Sequence, residues 1–103
     1  MAEGGRFVVM VAGIAQAGME DYVHEYLQKM MRFSQADKGC ELYNIHQSCE
    51  NPREFMMYSL WHDKAAFEEH NKQPKMQEFK QKLAESMFDI RSPKTYWQLL
   101  GEE

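Results

Sequence analysis

Residues 40–71 read CELYNIHQSCENPREFMMYSLWHDKAAFEEHN, and this stretch decides the fold. Cys40 to Glu50 and Phe55 to His62 carry the aromatic and aliphatic residues that suit a half-buried strand. Asn51-Pro52-Arg53-Glu54 between them is turn chemistry, so the two runs are expected as a hairpin with a four-residue loop. Asp63 then offers an N-cap for a short helix from Lys64 to Asn71.

Upstream, Gly18 precedes a helical stretch over about 19–37. Its Met19, Tyr22, Val23, Tyr26, Leu27, Met30 and Met31 follow the three-four spacing of a buried stripe. Asp37-Lys38-Gly39 stops it, with Gly39 at the usual place just past a helix C-terminus. Residues 7–15 read as a strand apolar on both faces: Phe7, Val9 and Val11 on one, Val8, Met10 and Ile14 on the other. Downstream, Pro74 opens a helix with a stripe of Met76, Phe79, Leu83 and Met87. Ser92-Pro93 is read as a break before a last strand, Thr95 to Leu100. The order β-α-β-β-α-β, with the second helix in two pieces, predicts a single α+β domain over 1–103. Its pattern is the ferredoxin-like split βαβ: a four-stranded antiparallel sheet with helices on one face.

Alternation along the hairpin predicts which residues share a face. Tyr43 and Ile45 are placed under the helices; Leu42, Asn44, His46 and Ser48 then face away. Pairing Ser48 with Met57 sets His46 opposite Ser59 and Asn44 opposite Trp61, so Phe55, Met57, Ser59 and Trp61 are expected on the helix-free face. That face would hold Phe55, Met57, Trp61 and Leu42, an apolar patch that needs a cover. A second copy packed sheet on sheet, a two-fold homodimer enclosing Asn44, His46 and Ser59, is the economical answer. An apolar enclosure with a few polar groups also describes a small-molecule site.

Composition excludes other classes. At 103 residues, 44% hydrophobic and 27% charged, the chain is neither disordered nor fibrous. Twelve basic against sixteen acidic residues give 12 − 16 = −4, a poor balance for nucleic acid. No run is long enough to span a bilayer. Residues 7–15 could pass for a signal-peptide core, but Glu3 beside Arg6 denies it a positive flank. Cys40 and Cys49 lie in one predicted strand, about 30 Å apart at some 3.3 Å per residue, beyond disulfide reach. Reduced thiols and a cytoplasmic location are expected. There is no CxxC, no GxGxxG and no pair of histidines on one face at ligand spacing with a carboxylate, so neither zinc of the finger type, a mononuclear metal, flavin nor nicotinamide is expected; haem is disfavoured because the first strand has no polar residue for a distal pocket and no basic patch for propionates is evident.

Glu54 to His70, with His70 nine residues after Trp61, resembles the signature strand and helix of the antibiotic biosynthesis monooxygenase (ABM) superfamily. His70-Asn71-Lys72-Gln73-Pro74, then Met76 and Phe79, resembles the segment that follows; Gly39-Cys40, Tyr43 and Asn51-Pro52 resemble the hairpin before it. The resemblance runs through nearly the whole chain and is most specific from Gly39 to Phe79. One position departs: Ser59 stands where most members have glutamate, two before the tryptophan. The resemblance implies a dimeric α+β barrel with a pocket between sheet and helices. It also implies a range of reactions: cofactor-free oxygenation of quinols and polyketide phenols, haem degradation, and isomerisation of a phosphorylated sugar.

On that basis a cofactor-independent monooxygenase of a quinol- or phenol-like aromatic substrate, with dioxygen, is the leading expectation. Its needs are a base, an electron-rich substrate anion, and a dry pocket with hydrogen-bond donors. His70 is the first candidate base, against a plain helix-capping role; Ala66 and Phe67 one turn earlier point the same face inward. His46 is the second, against a hydrogen-bonded interface histidine. Trp61 would be a pocket wall with an indole donor. Asn44, His46, Ser59, Met57 and Phe79 are the expected substrate contacts. His24 and His62 are read as structural, and Lys72, Lys75, Lys80 and Lys82 as a solvated face. The alternative is an isomerase of a small carbonyl compound, or a ligand-binding dimer without turnover, on the same scaffold.

Overall fold

The computed structural model describes residues 5–100, with side chains outside residues 87–93. In chain order the elements are β1 (Phe7–Ala15), α1 (Glu20–Gln35), β2 (Cys40–Gln47), β3 (Glu54–Trp61), α2 (Lys64–Asn71), α3 (Pro74–Ser86) and β4 (Met87–Gln98). The four strands form one antiparallel sheet in the order β2-β3-β1-β4. This is the ferredoxin-like α+β arrangement that the element order predicts.

Local chemistry sets the helix ends. Gly18 takes φ +85°, a left-handed turn that favours glycine, just before α1. Asp63 caps α2 by accepting from the Ala66 N–H at 2.8 Å. Pro74 is the first residue of α3, where a missing N–H costs little. Gly39 serves a different purpose from the one expected. It lacks the positive φ of a left-handed cap; a Cβ on it would stand 2.9 Å from the Ala66 Cβ. Its bare backbone lets the chain after α1 lie against the first turn of α2.

Two sequence expectations are corrected here. Ser92-Pro93 does not interrupt the last strand: β4 runs from Met87 to Gln98, with register shifts against β1. It is an edge strand, where a proline without an N–H is tolerated. The second correction is the hairpin register. Ser48 leaves the ladder early: its Oγ accepts from the N–H of Glu50 and of Asn51, and Asn51 Oδ1 accepts from Arg53 N–H. The ladder closes with Ser48 N–H donating to Glu54 O, so the turn consumes residues 49–53. Tyr43 therefore pairs with Ser59, Asn44 with Tyr58, Ile45 with Met57 and His46 with Met56.

The expected register is off by three residues, and an odd shift turns a strand over. Phe55, Met57, Ser59 and Trp61 face the helices, not away from them. There they meet Phe7, Val9 and Val11 of β1 and Tyr43 and Ile45 of β2. The core joins these to Val23, Leu27 and Met30 of α1, Phe67 of α2, and Met76 and Phe79 of α3. The helix-free face is carried instead by Met56, Tyr58 and Leu60. One row across it reads Leu42, Leu60, Val8, Trp97, apolar on all four strands. Leu42 is 39% and Trp97 56% exposed.

Candidate functional site

His70 is 1% exposed, and both ring nitrogens have partners. Nδ1 lies 3.0 Å from Asp37 Oδ2, and Nε2 lies 3.0 Å from the hydroxyl of Ser34. Asp37 Oδ1 accepts from the Gly39 N–H at 2.9 Å, and Oδ2 also accepts from Gln73 Nε2 at 3.1 Å. Burial by itself would raise the Asp37 carboxyl. The bonds from Gly39, His70 and Gln73, with the charge His70 gains in the acid range where Asp37 titrates, outweigh it and hold the group below the carboxylate's ordinary value. Burial lowers His70, partly offset by Asp37, and Lys80 lowers it further. The pair is thus a neutral imidazole donating Nδ1–H to an ionised carboxylate. That tautomer leaves Nε2 as the acceptor for Ser34 O–H. The Ser34 hydroxyl has a second acceptor in reach, Met76 Sδ at 3.8 Å.

Trp61 packs against His70 with ring centroids 4.7 Å apart. Its indole N–H donates to Ser59 Oγ at 2.9 Å, and that hydroxyl donates to Val9 O at 3.4 Å. Tyr43 stands edge-on to Trp61, and burial pushes its phenol up to about 12, so it remains protonated.

His70 and Tyr43 contribute to the wall of a cavity of about 430 Å³ between the sheet and the helices. Val11, Ile45, Phe55 and Met57 form its floor; Leu27 and Met30 of α1 and Met76 and Leu83 of α3 form its roof. Gly13 lines it without a side chain, which leaves room above the central strand. The lining is mostly apolar; its polar members are Tyr43, His70, Asn71, Lys80 and Lys94. Volume and lining are those of a small-molecule site.

Of the residues singled out in the sequence, His70 and Met57 meet at this cavity. Trp61 and Ser59 lie behind His70 in the core instead of lining it, and Phe79 packs into the core against Tyr26 and Phe33. Asn44 and His46 do not converge with them. They alternate with Tyr43 and Ile45 along β2, pair with Tyr58 and Met56, and do not line the cavity. The expected sheet wall of Asn44, His46 and Ser59 is corrected by the hairpin register. Lys80 leaves the group read as a solvated face and lines the cavity, whereas Lys72, Lys75 and Lys82 are exposed. His62 is exposed and pairs with Glu41 at 2.6 Å. Among the described residues no group of three or more His, Cys, Asp or Glu could hold a metal ion, and no helix is long and apolar enough to cross a membrane.

Four residues escaped the sequence reading, and two left a readable signal. Ser34 continues the buried α1 series Val23, Leu27, Met30. A serine on an apolar stripe asks for a partner. Lys80 likewise sits one turn from Met76 on the lining face of α3. Asp37 read only as part of a helix stop, and Lys94 had no local mark.

A model of the family described as antibiotic biosynthesis monooxygenase matches residues 6–82. No curated protein sequence matches the chain. Solved structures do. A conserved Bacteroides thetaiotaomicron protein of unknown function, described as a possible oxidoreductase, superposes with a TM-score of 0.85 at 14% identity, covering 93% of this chain and 99% of that one. A candidate antibiotic biosynthesis monooxygenase of Deinococcus radiodurans gives 0.84 at 18% identity, covering 94% of each. A Pseudomonas aeruginosa protein gives 0.76 at 23%, also covering 94% of each. At these identities the likeness is one of fold.

Proposed function

The chain belongs to the antibiotic biosynthesis monooxygenase family, and we propose that it is a cofactor-independent monooxygenase of a phenol- or quinol-like aromatic compound with His70 as its base. One observation carries the reading. A buried neutral imidazole, backed by an ionised carboxylate, forms part of the wall of a mostly apolar cavity. Asp37 holds Nδ1–H, which fixes the ring and stabilises the imidazolium when it forms. Ser34 can turn its hydroxyl to Met76 Sδ and free Nε2 for the substrate proton.

The chemistry then balances without a cofactor. Nε2 takes the phenolic proton. The phenolate gives electrons to dioxygen, and a C–O bond forms at a ring carbon that still bears hydrogen. Imidazolium returns its proton to the distal peroxide oxygen. Loss of that carbon's hydrogen together with hydroxide breaks the O–O bond, leaving a quinone carbonyl and one water. The apolar walls exclude bulk water from the anion. Ser59 in place of glutamate does not weaken this reading, because that position lies in the core beneath Trp61.

The same reading includes a homodimer through the helix-free face. The row Leu42, Leu60, Val8 and Trp97 needs a cover, and the three helices lie on the opposite face.

Oxygen uptake with a panel of quinols and polycyclic phenols tests the activity. His70→Gln keeps an amide that can bond Asp37 but supplies no base. It is expected to lower turnover by about a hundred-fold or more with the circular dichroism unchanged. Undiminished uptake in that variant would remove His70 from the chemistry. No uptake by the wild type across the panel would count against a monooxygenase.

A further inference from the structure

Lys80 and Lys94 come from different elements, α3 and β4, and converge on the one cavity. Both are half-buried. Lys80 occupies a place on the α3 face whose neighbours, Met76 and Leu83, are apolar lining residues, and it lines the cavity with them. Lys94 Nζ stands 5.8 Å from the centroid of the Phe67 ring, over another lining residue. Lys94 is near enough to Lys80 for the one charge to disfavour the other. Among the described residues neither is in an ion pair, and no carboxylate lines the cavity.

Two like charges brought together at an apolar cavity, with no counter-charge, are an unfavourable arrangement in the empty protein. Burial, with Lys94 beside it, brings Lys80 down to about 8. An anionic oxygen placed between them removes the repulsion and gains charge-assisted hydrogen bonds.

We propose that the cavity binds an amphiphilic aromatic anion, its rings against the Met57, Met76 and Phe55 walls and one anionic oxygen group held by Lys80 and Lys94. This deepens the function proposed above and rests on the same cavity, but concerns binding alone. A carboxylate and an ionised phenol share the chemistry required.

Equilibrium binding of anthracene-2-carboxylate and of its primary amide, followed by anthracene fluorescence at pH 7, tests it. Both carry the same ring system, and only one is charged. The wild type is expected to bind the acid about ten-fold more tightly than the amide. Lys80→Met with Lys94→Met should bring the two within about two-fold of each other while amide binding is retained. Each single variant should lie between, and Lys80→Arg should keep the preference. Raising the pH past about 8 should weaken acid binding as Lys80 loses its proton. The other titratable groups facing that amine are Lys94 of β4, His70 of α2 and Tyr43 of β2, while α1 presents Leu27 and Met30. Equal binding of acid and amide by the wild type, a preference that survives the double variant, or binding of neither compound would overturn the proposal. Oxygen uptake is scored separately: acid-selective binding without uptake leaves the anion site standing and removes the monooxygenase.

Discussion

His70 brings together most of what is specific to this chain. Its two nitrogens are committed to Asp37 and Ser34, and its ring faces Trp61. The imidazole is therefore positioned by three separate elements: α2 carries it, α1 supplies Ser34, and the turn after α1 supplies Asp37. A pH signature follows. His70 has a folded pKa below its ordinary 6.5, so between those two values the unfolded chain holds more protons than the folded one. Its contribution to stability is fully present above about pH 6.5 and is lost as the pH falls through that value to the folded pKa. Asp37 has the same sign lower down: its contribution is present above the ordinary 3.8 and is lost as the pH falls through its own depressed pKa. Urea midpoints measured from pH 8 to 5.5 should fall in the wild type and fall less in His70→Gln. Parallel curves would mean that His70 is not held neutral in the folded protein.

At the scale of elements, the placement of α2 depends on a close approach. Gly39 and Ala66 meet where the strand after α1 crosses the first turn of α2, and His70 is one helical turn beyond. Gly39→Ala puts a methyl group 2.9 Å from the Ala66 Cβ, too near for two carbons. We expect a loss of about 1–3 kcal/mol from overpacking. Ala66→Gly removes the opposing methyl, so the double variant should be more stable than the sum of the two single losses implies. Strict additivity in a double-mutant cycle of urea melts would show that the contact does not set the helix position. Two strands share a smaller device. Trp61 donates to Ser59 and Trp97 to Thr95, each across two residues of one strand, so each indole finds a hydroxyl on its own face. On β3 this bond is buried and locks the wall behind His70; on β4 it holds an exposed indole in place on the helix-free face.

For the whole molecule, the sheet has one face closed by three helices and one left open. The helix side is divided between a packed end, where Phe7, Trp61, Phe67 and Tyr96 meet, and the cavity beyond it. The open side carries an apolar row four strands wide. Sedimentation at micromolar concentration should therefore give twice the chain mass. Leu60→Lys, in the middle of that row, would bury an unpaired charge between two copies and should shift the protein to monomer with its circular dichroism kept. A wild-type monomer at that concentration would leave the open face without the partner proposed for it.

The order of elements, and hence the fold, was legible in the chain because those signals are local: the stripe of α1, the Asp63 cap, Pro74 at the head of α3, and apolar runs of strand length. It also made His70 legible as an inward residue, through Ala66 and Phe67 on the same helical face. Which face each strand presents was decided only in the tertiary structure. Alternation says that Phe55, Met57, Ser59 and Trp61 travel together, but not to which side; that depends on where the ladder stops, and the Ser48 and Asn51 turn stops it before Cys49. A three-residue slip exchanged the wall of the site for the outer face of the sheet. The partners of His70 were hidden for a related reason. Ser34 and Asp37 lie 36 and 33 positions away in the chain, and Lys80 and Lys94 meet only because α3 and β4 pack beside one cavity. Periodicity reports a residue's own element, whereas a catalytic or binding group is made by several elements at once, and only their packing brings them to hydrogen-bond distance.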